Sequence, residues 1–69
     1  MDKLSPKELK ILKMVCQDKT NPEMAVKMNF GLRYVEKIKT KLYKKTRTKS
    51  NVGLLKWAVV NGVYEIKKR

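Results

Sequence analysis

The chain has 69 residues, with 18 lysines and arginines against 6 acidic residues, and it carries a formal charge of +12. This length predicts one domain over residues 1–69. The absence of histidine and the single cysteine, Cys16, exclude a zinc finger and an internal disulfide, so neither metal nor cofactor is expected. The positive charge indicates a polyanionic partner, which is DNA, RNA or an anionic membrane surface.

The first predicted element is a helix over residues 6–17. Ser5 and Glu8 have the spacing of a capping box, and Pro6 suits the first helical position. Apolar residues then recur at spacings that place them on one helical face, which we expect to face the core. They are Ile11, Leu12, Val15 and Cys16.

A second capping box, Thr20 with Glu23, predicts a short helix over residues 21–28. The turn that follows contains Gly31, which suits either a cap or a positive φ. Two helices joined by a short turn containing glycine are typical of a helix-turn-helix unit. The fold class predicted is therefore all-α, a four-helix helix-turn-helix domain.

The third predicted helix covers residues 32–45. Its inner stripe consists of Leu32, Val35, Leu42 and either Ile38 or Lys39. Between residues 33 and 49 there are eight cations against one acidic residue, Glu36. The eight are Arg33, Lys37, Lys39, Lys41, Lys44, Lys45, Arg47 and Lys49.

This cation cluster is either a solvated helix face or a recognition helix that lies in the major groove between phosphate contacts, and we favour the second. Lys37 has the reach to bond guanine O6 and N7, and Thr40 to bond a base edge or contact a thymine methyl. Glu36 either accepts from a cytosine amino group or pairs with Arg33 or Lys39 on its own helix.

A fourth helix is predicted over residues 51–61, with either Ser50 or Thr48 as its cap. Asn61 and Gly62 suit a left-handed C-terminal cap. Leu54, Leu55 and Ala58 are expected to face the core, and Val63, Tyr64 and Ile66 to fold back on it. Residues 67–69 are expected to fray.

Trp57 in the fourth helix has two interpretations. It is either the anchor of a dimer interface, because aromatic residues are favoured at interface centres, or a partly exposed edge of the core. Val52 and Val60 flank it and share both interpretations.

In order and spacing these residues resemble the LuxR/NarL-type helix-turn-helix domain over about residues 4–63. The matching positions are Leu4, Ser5, Pro6, Lys7, Glu8, Ile11, Leu12, Thr20, Asn21, Pro22, Glu23, Met24, Ala25, Tyr34, Val35, Glu36 and Lys45. The resemblance implies a bacterial transcription regulator that binds duplex DNA. It also implies a homodimer on DNA through the fourth helix and, in many members, an upstream receiver domain.

The resemblance further implies roles for individual residues. Base edges would be read by Glu36, Lys37 and Thr40. The DNA backbone or groove wall would be met by Arg33, Tyr34, Lys41 and Lys44. Thr20 and Asn21 would approach a phosphate, and Glu8 would be structural with Lys45 as its ion partner.

The chain also departs from the family pattern. Tyr34, Val35 and Glu36 stand where Thr-Val-Lys is usual, so Glu36 reverses a charge on the reading face. The other departures are Ile38 for histidine, Gly31 for a cap serine, Asp18 for glycine and Thr46 for an apolar residue.

Sequence-specific DNA binding is thus the expected function, with a cytoplasmic location. The alternative is a basic protein-interaction module that binds an acidic partner or regulatory domain. A peptide acting at anionic membranes fits poorly, because the apolar stripes belong to four short helices and no stretch approaches the roughly 20 apolar residues of a membrane span. No catalytic constellation is recognisable, so an enzyme is not expected.

Overall fold

The computed structural model describes residues 3–66, and within this range it contains four helices and no strand. The helices are α1 (Pro6–Cys16), α2 (Asn21–Met28), α3 (Leu32–Thr46) and α4 (Asn51–Val60). The all-α class is confirmed, and three of the predicted helix ends are displaced by one residue. None of these helices is long and apolar enough to cross a bilayer. The prediction for residues 67–69 lies outside the described range.

The helices begin where their capping residues predict. The Ser5 N–H donates to Glu8 Oε1 (2.8 Å) while the Glu8 N–H donates to Ser5 Oγ (3.2 Å). Thr20 and Glu23 form the same reciprocal pair at 2.9 and 3.3 Å. Of the two candidate caps for α4, Ser50 is the one used, since its Oγ accepts from the backbone N–H three residues on. Each pair satisfies N–H groups that a helix start leaves free.

The four helices in the described range end with one hydrogen-bond pattern, in which an N–H bonds the carbonyl five residues back across a residue of positive φ. This is the Schellman motif. The residue of positive φ is glycine after α4 (Gly62), but it is Asp18 after α1, Asn29 after α2 and Arg47 after α3. A side chain in this conformation carries a steric cost that glycine avoids.

Gly31 is a cap and does not have a positive φ, so only one of its two predicted roles is confirmed. It is the N-cap of α3 with φ −70° and ψ 152°, and no side chain caps the helix there. The left-handed residue of the turn is Asn29, because the chain leaves α2 through the Schellman bond from Phe30 N–H to Ala25 O (2.9 Å).

Replacing Gly31 with serine is expected to stabilise the domain relative to replacing it with alanine. A Cβ at this position meets nothing within 4 Å, and the backbone is already in the extended cap conformation. Serine would supply the missing acceptor for α3, which is worth about 1 kcal/mol over alanine. Urea unfolding of Gly31→Ser and Gly31→Ala measures the difference, and equal midpoints would contradict it.

The core lies where the four helices meet. Its buried members come from every helix, and they are Ile11, Leu12, Val15, Met24, Val35, Ile38, Leu42, Leu54 and Ala58. Cys16 is half-buried at its edge, and burial raises the pKa of this thiol. Val63 and Tyr64 pack on the core as predicted.

Three predictions about the core need correction, and one choice left open by the sequence is resolved. Ile38 and Lys39 are both buried, so both alternatives lie on the inner side of α3. Leu32 is 46% exposed because it is the first residue of α3, ahead of the turn that packs inward. Leu55 is only half-buried and lies outside the core, and Ile66 is 60% exposed at the end of the described chain.

Thr46 belongs to the last turn of α3, whereas the predicted helix ended at residue 45. It is buried although it is polar, because its hydroxyl donates to the Leu42 carbonyl (2.7 Å) and lies 2.9 Å from the Thr48 hydroxyl. These bonds satisfy a polar group at a site where an apolar residue was expected.

One ion pair ties the start of α1 to the end of α3. Lys45 Nζ lies 2.8 Å from Glu8 Oε1, which confirms the pairing implied by the resemblance. Burial raises the pKa of the Glu8 carboxyl, but the hydrogen bonds from Lys45 and Ser5 and the charge of Lys45 outweigh it and hold the pKa below its usual value. The pair joins α1 to the last turn of α3 on the side of α3 next to α1.

Candidate nucleic-acid interface

The open side of α3 carries seven of the nine residues that the sequence predicted to touch DNA. At about 100° per residue, these side chains span an arc of about 160° and, from Arg33 to Lys44, about 16 Å along the axis. All are exposed, and we call this surface the basic face. Its members, in order across the arc, are Glu36, Thr40, Arg33, Lys44, Lys37, Lys41 and Tyr34.

Buried residues on the opposite side of α3 hold the basic face in place. Val35 and Leu42 are 0% exposed on the opposite side of α3, and Ile38 is 5% exposed beside them. Their burial against the core sets the rotation of the helix about its own axis. The arc of cations therefore points away from the rest of the domain, as the sequence predicted.

Thr40 and Glu36, two polar residues on the basic face, both keep a free hydrogen-bond acceptor. The Thr40 hydroxyl donates to the Glu36 carbonyl (3.0 Å), so its oxygen remains available as an acceptor. Among the described residues Glu36 forms no ion pair with Arg33 or Lys39, and its exposed carboxylate is free to accept. Both residues can therefore receive a hydrogen bond from a base amino group.

Lys39 is not part of the basic face. It is 9% exposed, its Nζ donates to Asn21 Oδ1 (3.0 Å), and it lies 5.9 Å from the centre of the Tyr43 ring. The bond to Asn21 holds the first residue of α2 against α3. One of the eight predicted cations thus serves the packing of the two helices.

The start of α2 lies next to the Lys39 side of α3. Asn21 is half-buried and keeps its amide N–H groups for another partner, since its oxygen is used by Lys39. Thr20 is exposed, and its oxygen accepts from the Glu23 N–H, which leaves its hydroxyl proton free. Both can donate to an anion, as the phosphate role requires.

The sequence missed an aromatic contact at the other edge of the basic face. Lys7 Nζ donates to the Tyr34 hydroxyl (3.2 Å), and the Tyr34 ring meets Phe30 edge to face at 4.7 Å between centres. Lys7 and Tyr34 are separated by 27 positions. No local pattern links them, so only the packing of α1 on α3 shows that Lys7 borders this surface.

The predicted dimer residues of α4 fall into two environments. Val52 is 63% and Val60 83% exposed, on the outer side of the helix. Trp57 is half-buried and packs against the core. This position agrees with its interpretation as a partly exposed edge of the core. Val59, which the sequence did not single out, is a third exposed valine of α4, at 39%.

Fold and surface together define a helix-turn-helix domain, with α2 and α3 as the paired helices and a cationic outer side on the second. The family described as bacterial regulatory proteins, luxR family, matches residues 2–58. The chain belongs to this luxR family, whose helix-turn-helix domains bind DNA in transcription regulators.

Curated relatives agree with this family. The chain is 37% identical over 60 residues to a probable transcriptional regulator, ycf29, of Porphyra purpurea, covering 87% of this chain and 29% of that protein. It is 34% identical over 61 residues to the response regulator Rre1 of a Synechocystis species, covering 88% of this chain and 26% of that protein. The chain thus spans less than a third of these relatives. No solved structure matches it.

Proposed function

We propose that this chain binds specific sequences in duplex DNA as part of a transcription regulator, with α3 lying in the major groove. The observation that carries the proposal is the basic face, where four cations share one exposed side of an anchored helix. An α-helix fits the major groove, and cations on its flanks neutralise phosphates.

The resemblance to the family suggests a division of roles among the residues of the basic face. Glu36, Thr40 and Lys37 are the proposed readers of base edges. Arg33, Tyr34, Lys41 and Lys44 are the proposed contacts to the backbone. Thr20 and Asn21 would donate to a phosphate at the start of α2, where free N–H groups favour an anion.

We also propose that two copies bind together through α4. Val52 and Val60 are exposed apolar residues of α4 that no other part of the described chain covers, and Trp57 would support a contact there from the core side. A second copy would remove these apolar side chains from water. Because the relatives are more than three times longer than the matched segment, and one is a response regulator, we propose that a receiver domain is a further partner.

Binding to duplexes at different salt concentrations tests the central proposal. If three or four cations of the basic face neutralise phosphates, the logarithm of the binding constant should fall against the logarithm of salt with a slope of about −2.7 to −3.6 per domain. Measurement by fluorescence anisotropy on a 20–30 base-pair duplex at several salt concentrations gives this slope.

The alternative is a basic module that binds an acidic protein partner, and the same surface charge favours it. Selection from a pool of random duplexes separates the two. Recovery of a common sequence supports DNA reading. No duplex binding at low salt, together with binding to an acidic regulatory domain, would favour the protein partner.

A further inference from the structure

The Lys7 ammonium group lies over the rings of Phe30 and Tyr34, at the Tyr34 edge of the basic face, and we call these two rings the aromatic platform. Its Nζ lies 5.6 Å from the centre of the Phe30 ring and 5.5 Å from that of Tyr34, while it donates to the Tyr34 hydroxyl. Phe30 is half-buried and packs on the core, so the platform is fixed to the body of the domain. Cation–π contacts of this type restrict where the ammonium group lies.

Beside this platform there is a small cleft of about 100 Å³ between α1 and α3. Three cations line it, Lys7 from α1 and Lys37 and Lys41 from α3, together with Tyr34. Glu8 also lines the cleft, but its carboxylate is already paired with Lys45 at 2.8 Å. The positive charge in the cleft is therefore not compensated from within the described residues.

The side chains that line the cleft have free hydrogen-bond donors. Tyr34 uses its hydroxyl oxygen to accept from Lys7, which leaves its own proton to donate. The Lys7 ammonium has three N–H groups and spends one on Tyr34. Both groups thus present donors in the same place as two further lysines. Donors of this kind match the oxygens of a phosphate.

We infer that Lys7 contacts a backbone phosphate of bound DNA, and that the cleft between α1 and α3 holds this phosphate. The inference rests on the proposed function, because the phosphate belongs to the duplex whose groove α3 occupies. It extends the DNA-binding surface from the helix-turn-helix unit onto the first turn of α1, and it gives Tyr34 a defined partner and a defined proton to donate.

Salt-dependent binding of a 20–30 base-pair duplex by the variant Lys7→Gln tests the inference. Loss of one phosphate contact should reduce the size of the salt slope by about 0.9 and weaken binding about tenfold near 0.1 M salt. Lys7→Arg keeps the charge and should keep the slope. Loss of packing alone would change affinity without changing the slope, so the slope identifies a direct contact.

Lys13→Gln is the matched control. Lys13 is exposed on the same helix and lies about 9 Å further along its axis and about 120° around it. It lines neither the cleft nor the basic face. Its removal subtracts the same charge, and the salt slope is expected to stay within about 0.3 of the unchanged chain. Thermal unfolding of both variants checks that each is folded.

The outcomes separate the inference from the proposed function. If the unchanged chain shows a steep slope and Lys7→Gln behaves like Lys13→Gln, the inference is overturned while DNA binding stands. If the unchanged chain shows no salt-dependent duplex binding, the proposed function fails first. Should Lys7→Gln not fold, Lys7→Met keeps the length of the side chain and removes only its charge. A slope smaller by about 0.9 then supports the inference, and an unchanged slope overturns it.

Discussion

Replacing Lys41 and Lys44 together with alanine is expected to weaken duplex binding by roughly 100-fold near 0.1 M salt. Both side chains are exposed on the basic face, and each is proposed to neutralise one phosphate. Each lost contact removes the release of about 0.9 counterion, which near 0.1 M salt corresponds to roughly tenfold in affinity. The salt slope should therefore become smaller by about 1.8, and fluorescence anisotropy at several salt concentrations measures both quantities.

Thr40→Ala provides the contrast, because it leaves the charge unchanged. Thr40 lies between Glu36 and the cations on the basic face, and its oxygen is free to accept. Its loss should change which duplexes are recovered from a random pool while leaving the salt slope as it was.

The proposed division between phosphate and base contacts would be contradicted if the double lysine variant bound duplexes as tightly as the unchanged chain.

The starts of the helices could be predicted because the signals for them are local. In both capping boxes the two partners stand three residues apart, and each pair forms as expected. The periodic apolar residues likewise fixed which side of α3 is buried. Once these two features are known, the basic face follows, because the remaining side of α3 carries the cations.

The features that could not be predicted from the sequence depend on contacts between segments far apart in the chain. Lys39 is an ordinary surface residue by type, and only the Asn21 oxygen from α2 makes its burial acceptable. Lys7 borders the basic face because α1 crosses α3 there, 27 positions away. The choice between a cap and a positive φ at Gly31 stayed open for a different reason: glycine permits a positive φ but does not require it, and the Schellman bond assigns that conformation to Asn29.

Glu8→Ala is expected to lower the free energy of unfolding by about 2–3 kcal/mol, because Glu8 has two structural roles. It caps α1 through Ser5, and loss of a cap costs about 1 kcal/mol. It also pairs with Lys45, whose side chain is 30% exposed, so the lost pair costs less than the 3–5 kcal/mol found when both partners are fully buried. A domain of this size often has only about 3–5 kcal/mol of stability from its core.

Two further variants separate these roles. Glu8→Gln preserves the capping box, which accepts glutamine, and removes the charge. It should cost about 1–2 kcal/mol less than the alanine variant. Adding Lys45→Met to Glu8→Gln removes both charges, and this double variant should recover much of the loss, since an apolar pair can replace an ion pair without large cost. Urea unfolding at neutral pH gives all three values.

The same pair gives the domain an acid sensitivity with a defined direction. The pKa of Glu8 is lower in the folded chain than its usual value of 4.5, so its contribution to stability is complete above that value and is lost as the pH falls through the folded pKa. Glu23 titrates in the same range, because the backbone hydrogen bond from Thr20 lowers its pKa. Glu23 is present in both the unchanged chain and Glu8→Gln, so its effect cancels in the difference between their free energies of unfolding. That difference should shrink as the pH falls below 4.5, and a constant difference would show that the carboxylate charge of Glu8 does not stabilise the fold.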